Sequence, residues 1–242
     1  GAIYTTILLV KMLCVIVNKL ATLDPFGVGV EMEADKPNWY DALNGLPMLF
    51  GSSVCETFEL KRWIVFLREA LDRLPGRERL SVLMPEELQA FLVSVQSAFM
   101  LSDAAYWQQT AEAKERYRQR IRMGFAGSEQ TLTLHEIREF LSQALAKVER
   151  GLANAHDAKL GLPRSYFAYE VVEHETVGSP AAIKPTKWRQ HALPPFLSGA
   201  VHSLRVESNA HRANALYQAV RRSALYDEQL KMYRVCASLA HE

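Results

Sequence analysis

Trp39, Tyr40, Asp41 and Asn44 fall within six residues of the run Lys36-Pro37-Asn38-Trp39-Tyr40-Asp41-Ala42-Leu43-Asn44-Gly45-Leu46-Pro47. An indole, a phenol, a carboxyl and a carboxamide this close together suit sugar chemistry. A flat ring stacks on a pyranose, an amide bonds hydroxyls, and an acid moves a proton. Pro37, Gly45 and Pro47 keep the run from being a helix or strand interior. General acid catalysis at a glycosidic oxygen needs a carboxyl that holds its proton near neutral pH. Burial against aromatic rings and nearby like charge both favour that. Trp39 and Tyr40 would supply the apolar wall for Asp41, and Glu31, Glu33 and Asp35 the negative surroundings. A plainer reading makes Asp41 a helix or turn cap and Trp39 a core residue.

Glu31 and Glu33 share a face if their segment is extended. They would then be a second catalytic carboxylate or binders of sugar hydroxyls, against the alternative of a solvated strand edge. Lys36 would hold a phosphate or carboxylate, or stand as a surface charge. Gly51-Ser52-Ser53 leads into a helix N-terminus, where backbone N–H groups favour anions. Ser53 is also the obvious cap there. Tyr166, Phe167 and Tyr169 either line a sugar site or pack, and packing is the expectation.

The elements that must position these residues read as follows. An apolar stretch from Ile3 to Leu23 predicts a first helix, ended by Asp24-Pro25 and Gly27. Lys11, Asn18 and Lys19 interrupt it, and its uncharged runs are too short for a membrane span. Residues 24–54 are Gly- and Pro-rich, with a short extended piece near Val28, Val30 and Met32. A connection of that length is usually functional. Capping boxes at Ser53/Glu56 and Thr133/Glu136 open helices over 54–74 and 133–155. Two further helices are expected from Pro85 to about Met100 and from Asp103 to about Met123. Residues 166–174 read as a strand, 201–206 as a second strand, 209–222 as a helix and 226–232 as a short helix. No repeat of fixed period is visible.

The 242 residues carry a formal net charge of +1, so no bulk field points to nucleic acid or an anionic membrane. The basic run Lys114–Arg122 fits a solvated helical face better than an RNA-binding one. Cys14, Cys55 and Cys236 form no CxxC pair and read as buried or free thiols of a reducing, cytoplasmic compartment. The histidines are scattered, and no HExxH or other ligand spacing appears, so no metal is expected.

The run Glu31–Pro47, with its Trp39-Tyr40-Asp41 step, resembles a segment of the cellobiose-phosphorylase-like proteins. These belong with the inverting carbohydrate phosphorylases and glycoside hydrolases built on an (α/α)6 barrel. The family's loop reads Asp-Trp-Asn-Asp-Gly, its second Asp being the general acid, and trehalase-like barrels carry a comparable Gly-Trp-Asp loop. The likeness extends through Gly51-Ser52-Ser53, Glu56-Thr57, Leu60-Lys61-Arg62, Tyr166–Glu170, Pro194–Leu197, Leu225-Tyr226-Asp227 and Met232-Tyr233. Asn38 and Met48 stand where glycines are expected.

The resemblance implies a mainly α fold, a partial (α/α)6 barrel with a small β insertion around 166–206. It would be a single partial catalytic domain over 1–242: helical to 160, β and loop over about 161–208, helical again over 209–234. Family members are several times longer, the chain begins with Gly1 directly inside a predicted helix, and so a fragment is expected. The implied activity is inverting cleavage or phosphorolysis of a glycosidic bond. Asp41 would be the acid, Trp39 the stacking platform, and Tyr40 and Asn44 the groups that orient hydroxyls. Glu31, Glu33 and Lys36 would complete the substrate site. No cofactor is implied, inorganic phosphate being a co-substrate if the protein is a phosphorylase. The expected partner is a disaccharide or oligosaccharide, with no nucleic acid and no membrane; a homo-oligomer stays open. The alternatives are a trehalase-like inverting hydrolase with a second carboxylate, and a non-catalytic helical carbohydrate-binding or interaction module.

Overall fold

The computed structural model describes residues 3–32, 51–178 and 182–238. Their chain forms two compact units, one of 1–27 with 59–151 and one of 28–58 with 152–242.

In the first unit, α1 (Leu8–Leu20) turns Leu13, Ile16, Val17 and Leu20 inward. It ends before Pro25. The turn that follows is closed by Asp24, whose carboxylate accepts the Phe26 N–H at 2.9 Å and whose carbonyl accepts the Gly27 N–H at 2.8 Å. α2 (Val54–Asp72) belongs to this unit from Glu59 onward and there buries Ile64, Leu67 and Leu71. Strands β3 (Ser81–Pro85) and β4 (Glu129–Thr133) form an antiparallel ribbon around α3 (Glu86–Ala98) and α4 (Asp103–Arg120). Neither strand was expected. They are short, and their pairing is not local in sequence. α5 (Leu134–Asn154) opens with the Thr133/Glu136 box complete. Thr133 N–H donates to the Glu136 carboxylate at 2.8 Å, and Glu136 N–H donates to Thr133 Oγ1 at 3.2 Å. Ile137, Phe140, Leu141 and Val148 then fall on one buried stripe.

A charge lies inside this core. Lys147 is only 2 % exposed, donates to Asp103, and sits 4.4 Å above the centre of the Tyr106 ring. Tyr106 in turn donates to the Leu20 carbonyl at 2.8 Å, and its burial raises the phenol pKa, so the hydroxyl stays a donor. A Cβ on Gly27 would come 2.9 Å from Asp103 Oδ1 and 3.0 Å from Lys147 Nζ, and its φ of +65° also favours glycine. The pair should respond asymmetrically to mutation. Asp103→Ala strands a buried ammonium and loses a favourable charge at a helix N-terminus, an expected cost of about 2–3 kcal/mol. Lys147→Met leaves a carboxylate that is 48 % exposed and free to take water, an expected cost under about 1 kcal/mol. Urea midpoints of the two variants check this, and equal losses would contradict it.

The second unit is built on a four-stranded antiparallel sheet in the order β1-β2-β7-β8. Its strands are β1 (Val30–Met32), β2 (Gly51–Ser53), β7 (Tyr166–Val177) and β8 (Ala182–Ala192). Two small hairpins, β5 (His156–Asp157) with β6 (Leu162–Pro163) and β9 (Tyr226–Asp227) with β10 (Met232–Tyr233), accompany α6 (Leu197–Val206) and α7 (Ala210–Arg222). Leu162, Ala200, Ala219, Val220 and Leu225 make one core cluster, and Cys55, Tyr166 and Phe196 another.

These observations correct the expected fold. Of the described residues 51 % are helical and 23 % lie in strands, a mixed class with four antiparallel sheets rather than a mainly α partial barrel. Residues 201–206 are helix, not strand, because Leu197, Ala200 and Leu204 fall at helical spacing and Gly199 and Ala200 are buried. Residues 226–232 are a hairpin, not a helix: Lys231 takes a positive φ of 55°, and the Asp227 carboxylate binds the N–H groups of Gln229 and Leu230. No helix among the described residues is long and apolar enough to cross a membrane.

A repeat is present after all. Asp157, Leu160 and Arg164 have the same spacing as Asp227, Leu230 and Arg234. Both aspartates accept two backbone N–H groups of their own turn and a guanidinium, at 2.7 Å from Arg164 and 2.6 Å from Arg234. Beyond the turns, the Ser165 carbonyl accepts Val54 N–H at the start of α2, and the Val235 carbonyl accepts Leu197 N–H at the start of α6. In the first copy β3, α3, α4 and β4 lie between α2 and α5, whereas α6 and α7 of the second copy follow one another directly, and this hides the repeat.

The turn has a pH signature. Desolvation opposes ionisation of Asp157, but the Leu160 N–H, the Arg164 guanidinium and the Lys159 N–H together outweigh it and hold the carboxyl below its usual range. Asp227 is lowered too, first by the Arg234 guanidinium. A carboxyl depressed in the folded state contributes stability above its unfolded pKa of about 3.9, and that contribution is lost as pH falls through the folded value. The melting temperature should therefore drop as pH falls below about 4. Asp157→Asn should flatten that drop, which a thermal series at several pH values measures.

Candidate functional site

The sheet of the second unit holds Glu31, one of the residues singled out from sequence. Val30, Glu31 and Met32 pair with Ser53, Ser52 and Gly51, and these pair onward with Tyr166, Phe167 and Ala168 of β7. Met32 and Gly51 stand directly opposite each other in this sheet. Side chains alternate across a strand. Met32 and Tyr166 share one face, where they pack with Cys55 and Phe196; the Tyr166 and Phe196 rings meet edge-on at 5.1 Å. Glu31, Ser52, Phe167 and Tyr169 share the other.

On that second face the polar groups meet. Ser52, fully buried, bonds the Tyr169 hydroxyl at 2.8 Å, and Gln190 of β8 donates to the same hydroxyl at 3.3 Å. Glu31 is half-buried and directly across from Ser52. Buried hydroxyls need partners, and Ser52 and Tyr169 supply each other. The strand-to-helix junction beside them is tightly built. A Cβ on Gly51 would lie 2.5 Å from the Phe167 carbonyl oxygen. Ser165, also buried, donates to the Phe196 carbonyl at 3.0 Å and accepts the Gly199 N–H at 2.9 Å. Glu56 N–H donates to Ser53 Oγ at 3.4 Å, and Thr57 donates to the Val28 carbonyl at 2.9 Å.

Of the residues predicted for the site, Glu31 lies in β1 on this polar face, in an extended segment as expected. Glu33, Lys36, Trp39, Tyr40, Asp41 and Asn44 lie outside the described residues. Ser52, Tyr169 and Gln190 were not predicted as members. Tyr169 was read as packing, and β8 was not predicted at all, because Pro185 and its polar content mask the strand pattern. The period-two aromatics Phe167 and Tyr169 were the available signal.

Two other surfaces were sequence candidates or are concave. The basic helix α4 carries Arg116, Arg118 and Arg120, which pair with Glu112, Glu115 and Glu86. A groove of about 420 Å³ in the first unit is lined by Met12, Trp63 and Phe66, with Glu59 and Arg62 bonded to each other at 2.8 Å. Among the described residues its lining offers apolar surface and no convergent reactive groups. No family model matches the sequence, and no curated protein matches it either.

Proposed function

We propose that this protein cleaves glycosidic bonds with inversion, with Asp41 as general acid. The observation that carries the reading is the pairing of Met32 with Gly51 beside Glu31, Ser52, Tyr169 and Gln190. It joins both ends of the segment bearing Trp39, Tyr40, Asp41 and Asn44 to a sheet face where, beside the buried Ser52–Tyr169 hydroxyl pair, stand the half-buried Glu31 carboxylate and Gln190 amide. Those are groups that bind sugar hydroxyls. The likeness of that segment to the cellobiose-phosphorylase-like loop supports the same chemistry.

In this mechanism the Asp41 carboxyl gives its proton to the glycosidic oxygen as the bond to the anomeric carbon breaks, and the electron pair stays on the leaving sugar. An oxygen of inorganic phosphate attacks the opposite face of that carbon, and a sugar 1-phosphate of inverted configuration results. Phosphate needs no base to attack, so one carboxyl suffices. If water is the nucleophile, a second carboxylate must take its proton, at about 6.5–9.5 Å from the first; Glu31 and Glu33 are the candidates.

The test is incubation with a panel of disaccharides, with and without phosphate, followed by analysis for sugar 1-phosphate and free sugar. Phosphate-dependent release of sugar 1-phosphate is expected, whereas free sugar alone would mark a hydrolase. Glycan binding without turnover in either arm would turn the reading into that of a binding module.

A further inference from the structure

We propose that the outer face of the β9–β10 turn is a docking surface for an antiparallel helical hairpin of a partner protein, seated there as α6–α7 is seated on the β5–β6 turn. The inference stands apart from the glycosidic reading and rests on the repeat. The two turns agree beyond their Asp–Arg pairs. Arg164 N–H donates to the Ala155 carbonyl at 2.9 Å, and Arg234 N–H to the Leu225 carbonyl at 2.8 Å. Gly161 has a φ of 65°, and Lys231, at the same place in the second turn, has a φ of 55°, a conformation uncommon outside glycine. In stacked repeats the apolar face of one unit is buried by the next.

The first turn is covered in that way. Leu162 is 2 % exposed and clusters with Ala200, Ala219 and Val220 of α6 and α7, with Leu160 packed beside it. The Arg164 guanidinium also donates to the Leu193 carbonyl, ahead of α6, at 3.1 Å. The approach is close: a Cβ on Gly199 would lie 3.2 Å from the Pro163 carbonyl oxygen.

The second turn presents the same groups to solvent. Leu230 and Met232 stand where Leu160 and Leu162 stand in the first, yet they are 68 % and 61 % exposed. The Arg234 side chain is 53 % exposed, against 18 % for Arg164. Val235, also exposed, takes the place of the buried Ser165. A repeat face left to water is polar; this one is not. The first copy shows what fits it: two helices that meet the turn through glycine and alanine, with a backbone carbonyl ahead of the first helix to accept from the arginine. Charge is already balanced, since Lys231 pairs with Glu228 at 2.8 Å and Arg234 with Asp227 at 2.6 Å, so the contact is apolar. One difference sets the partner apart from α6–α7. Ser165 Oγ accepts the Gly199 N–H in the first turn of α6, and Val235 has no such acceptor on its side chain. The partner's first helix therefore carries its own capping side chain.

Peroxide footprinting of the full chain tests the proposal, with a second copy of residues 193–222, the chain's own helical hairpin, as the probe. The probe is joined after Glu242 through a Gly/Ser linker, which holds it near the face at an effective concentration on the order of millimolar. A second probe, the same hairpin cross-linked between its helices, guards against a probe that does not fold. Met232 should oxidise at least about tenfold more slowly in the tethered chain than in the chain alone, because burial shields the thioether. Met123, exposed in the other unit, should oxidise at an unchanged rate. Leu230→Lys puts an ammonium into the apolar contact and should restore most of the Met232 rate. Unchanged Met232 oxidation with both probes, or protection that survives Leu230→Lys, overturns the docking surface. Protection of Met232 in the untethered chain that grows with protein concentration would assign the face to a second copy and overturn the partner hairpin.

Discussion

Asp41→Asn is expected to lower turnover of the preferred glycoside by about 10²–10⁴-fold, the range that a positioned general acid contributes. The amide is nearly isosteric and keeps hydrogen-bonding capacity, so substrate affinity should change little. The loss belongs to the transition state, in kcat rather than KM. A second signature follows from proton inventory. A substrate with an activated leaving group, such as a nitrophenyl glycoside or a glycosyl fluoride, needs little protonation of its departing atom. The variant should recover much of its rate on such a substrate, and the recovered rate should lose the wild-type decline at high pH. A variant that retains full turnover on an unactivated disaccharide would remove Asp41 from the mechanism. One that loses activity equally on both substrate types would point to a role in positioning.

Gly51→Ala is expected to destabilise the second unit by about 3 kcal/mol or more, at the upper end of what overpacking costs. The added methyl would come 2.5 Å from the Phe167 carbonyl oxygen, a backbone atom that cannot rotate away. Relief requires β2 and β7 to separate at the centre of the sheet. That pairing also sets Ser52 against Tyr169, so the same substitution should disturb the polar face that the proposed function uses. The expected result is a lower chemical-denaturation midpoint together with weakened glycan binding. Gly76→Ala is the natural control: nothing lies within 4 Å of its added methyl, although its φ of +67° carries a strain of its own. A Gly51→Ala loss no larger than that of Gly76→Ala would show that the strands yield easily at this point.

The helices were largely legible because each carries its own local signals. Thr133 and Glu136 announce α5, and their reciprocal hydrogen bonds form as the spacing implies. The apolar stripe of α5 gives its buried face directly. The expected mainly α class failed for a different reason. β3 and β4 lie on either side of α3 and α4, and β2 meets β7 only after more than a hundred intervening residues. Such pairings join distant short segments, and no window of sequence contains both partners. The end of the chain misled in the same way. Tyr226 to Met232 has helical spacing of apolar residues, but Asp227 draws the N–H groups of Gln229 and Leu230 to its own side chain and turns the chain. The same turn at Asp157 escaped notice because a long insertion separates the first copy's helices.

Residue type alone determined which groups this chain offers for chemistry: a Trp, a Tyr, an Asp and an Asn within one run punctuated by Pro37, Gly45 and Pro47, and the carboxylate of Glu31 ahead of it. Those are properties of covalent structure and local backbone preference, and they need no partner to be read. Only the tertiary structure decided what stands beside Glu31. Register in the β1-β2-β7-β8 sheet brings Ser52, Tyr169 and Gln190 to its face and sends Tyr166 to the core side. A shift of one residue would reverse every one of those assignments, because side chains alternate with a period of two. Register is set by packing against Cys55 and Phe196 and by the close approach of Gly51 to Phe167, contacts between segments far apart in the chain.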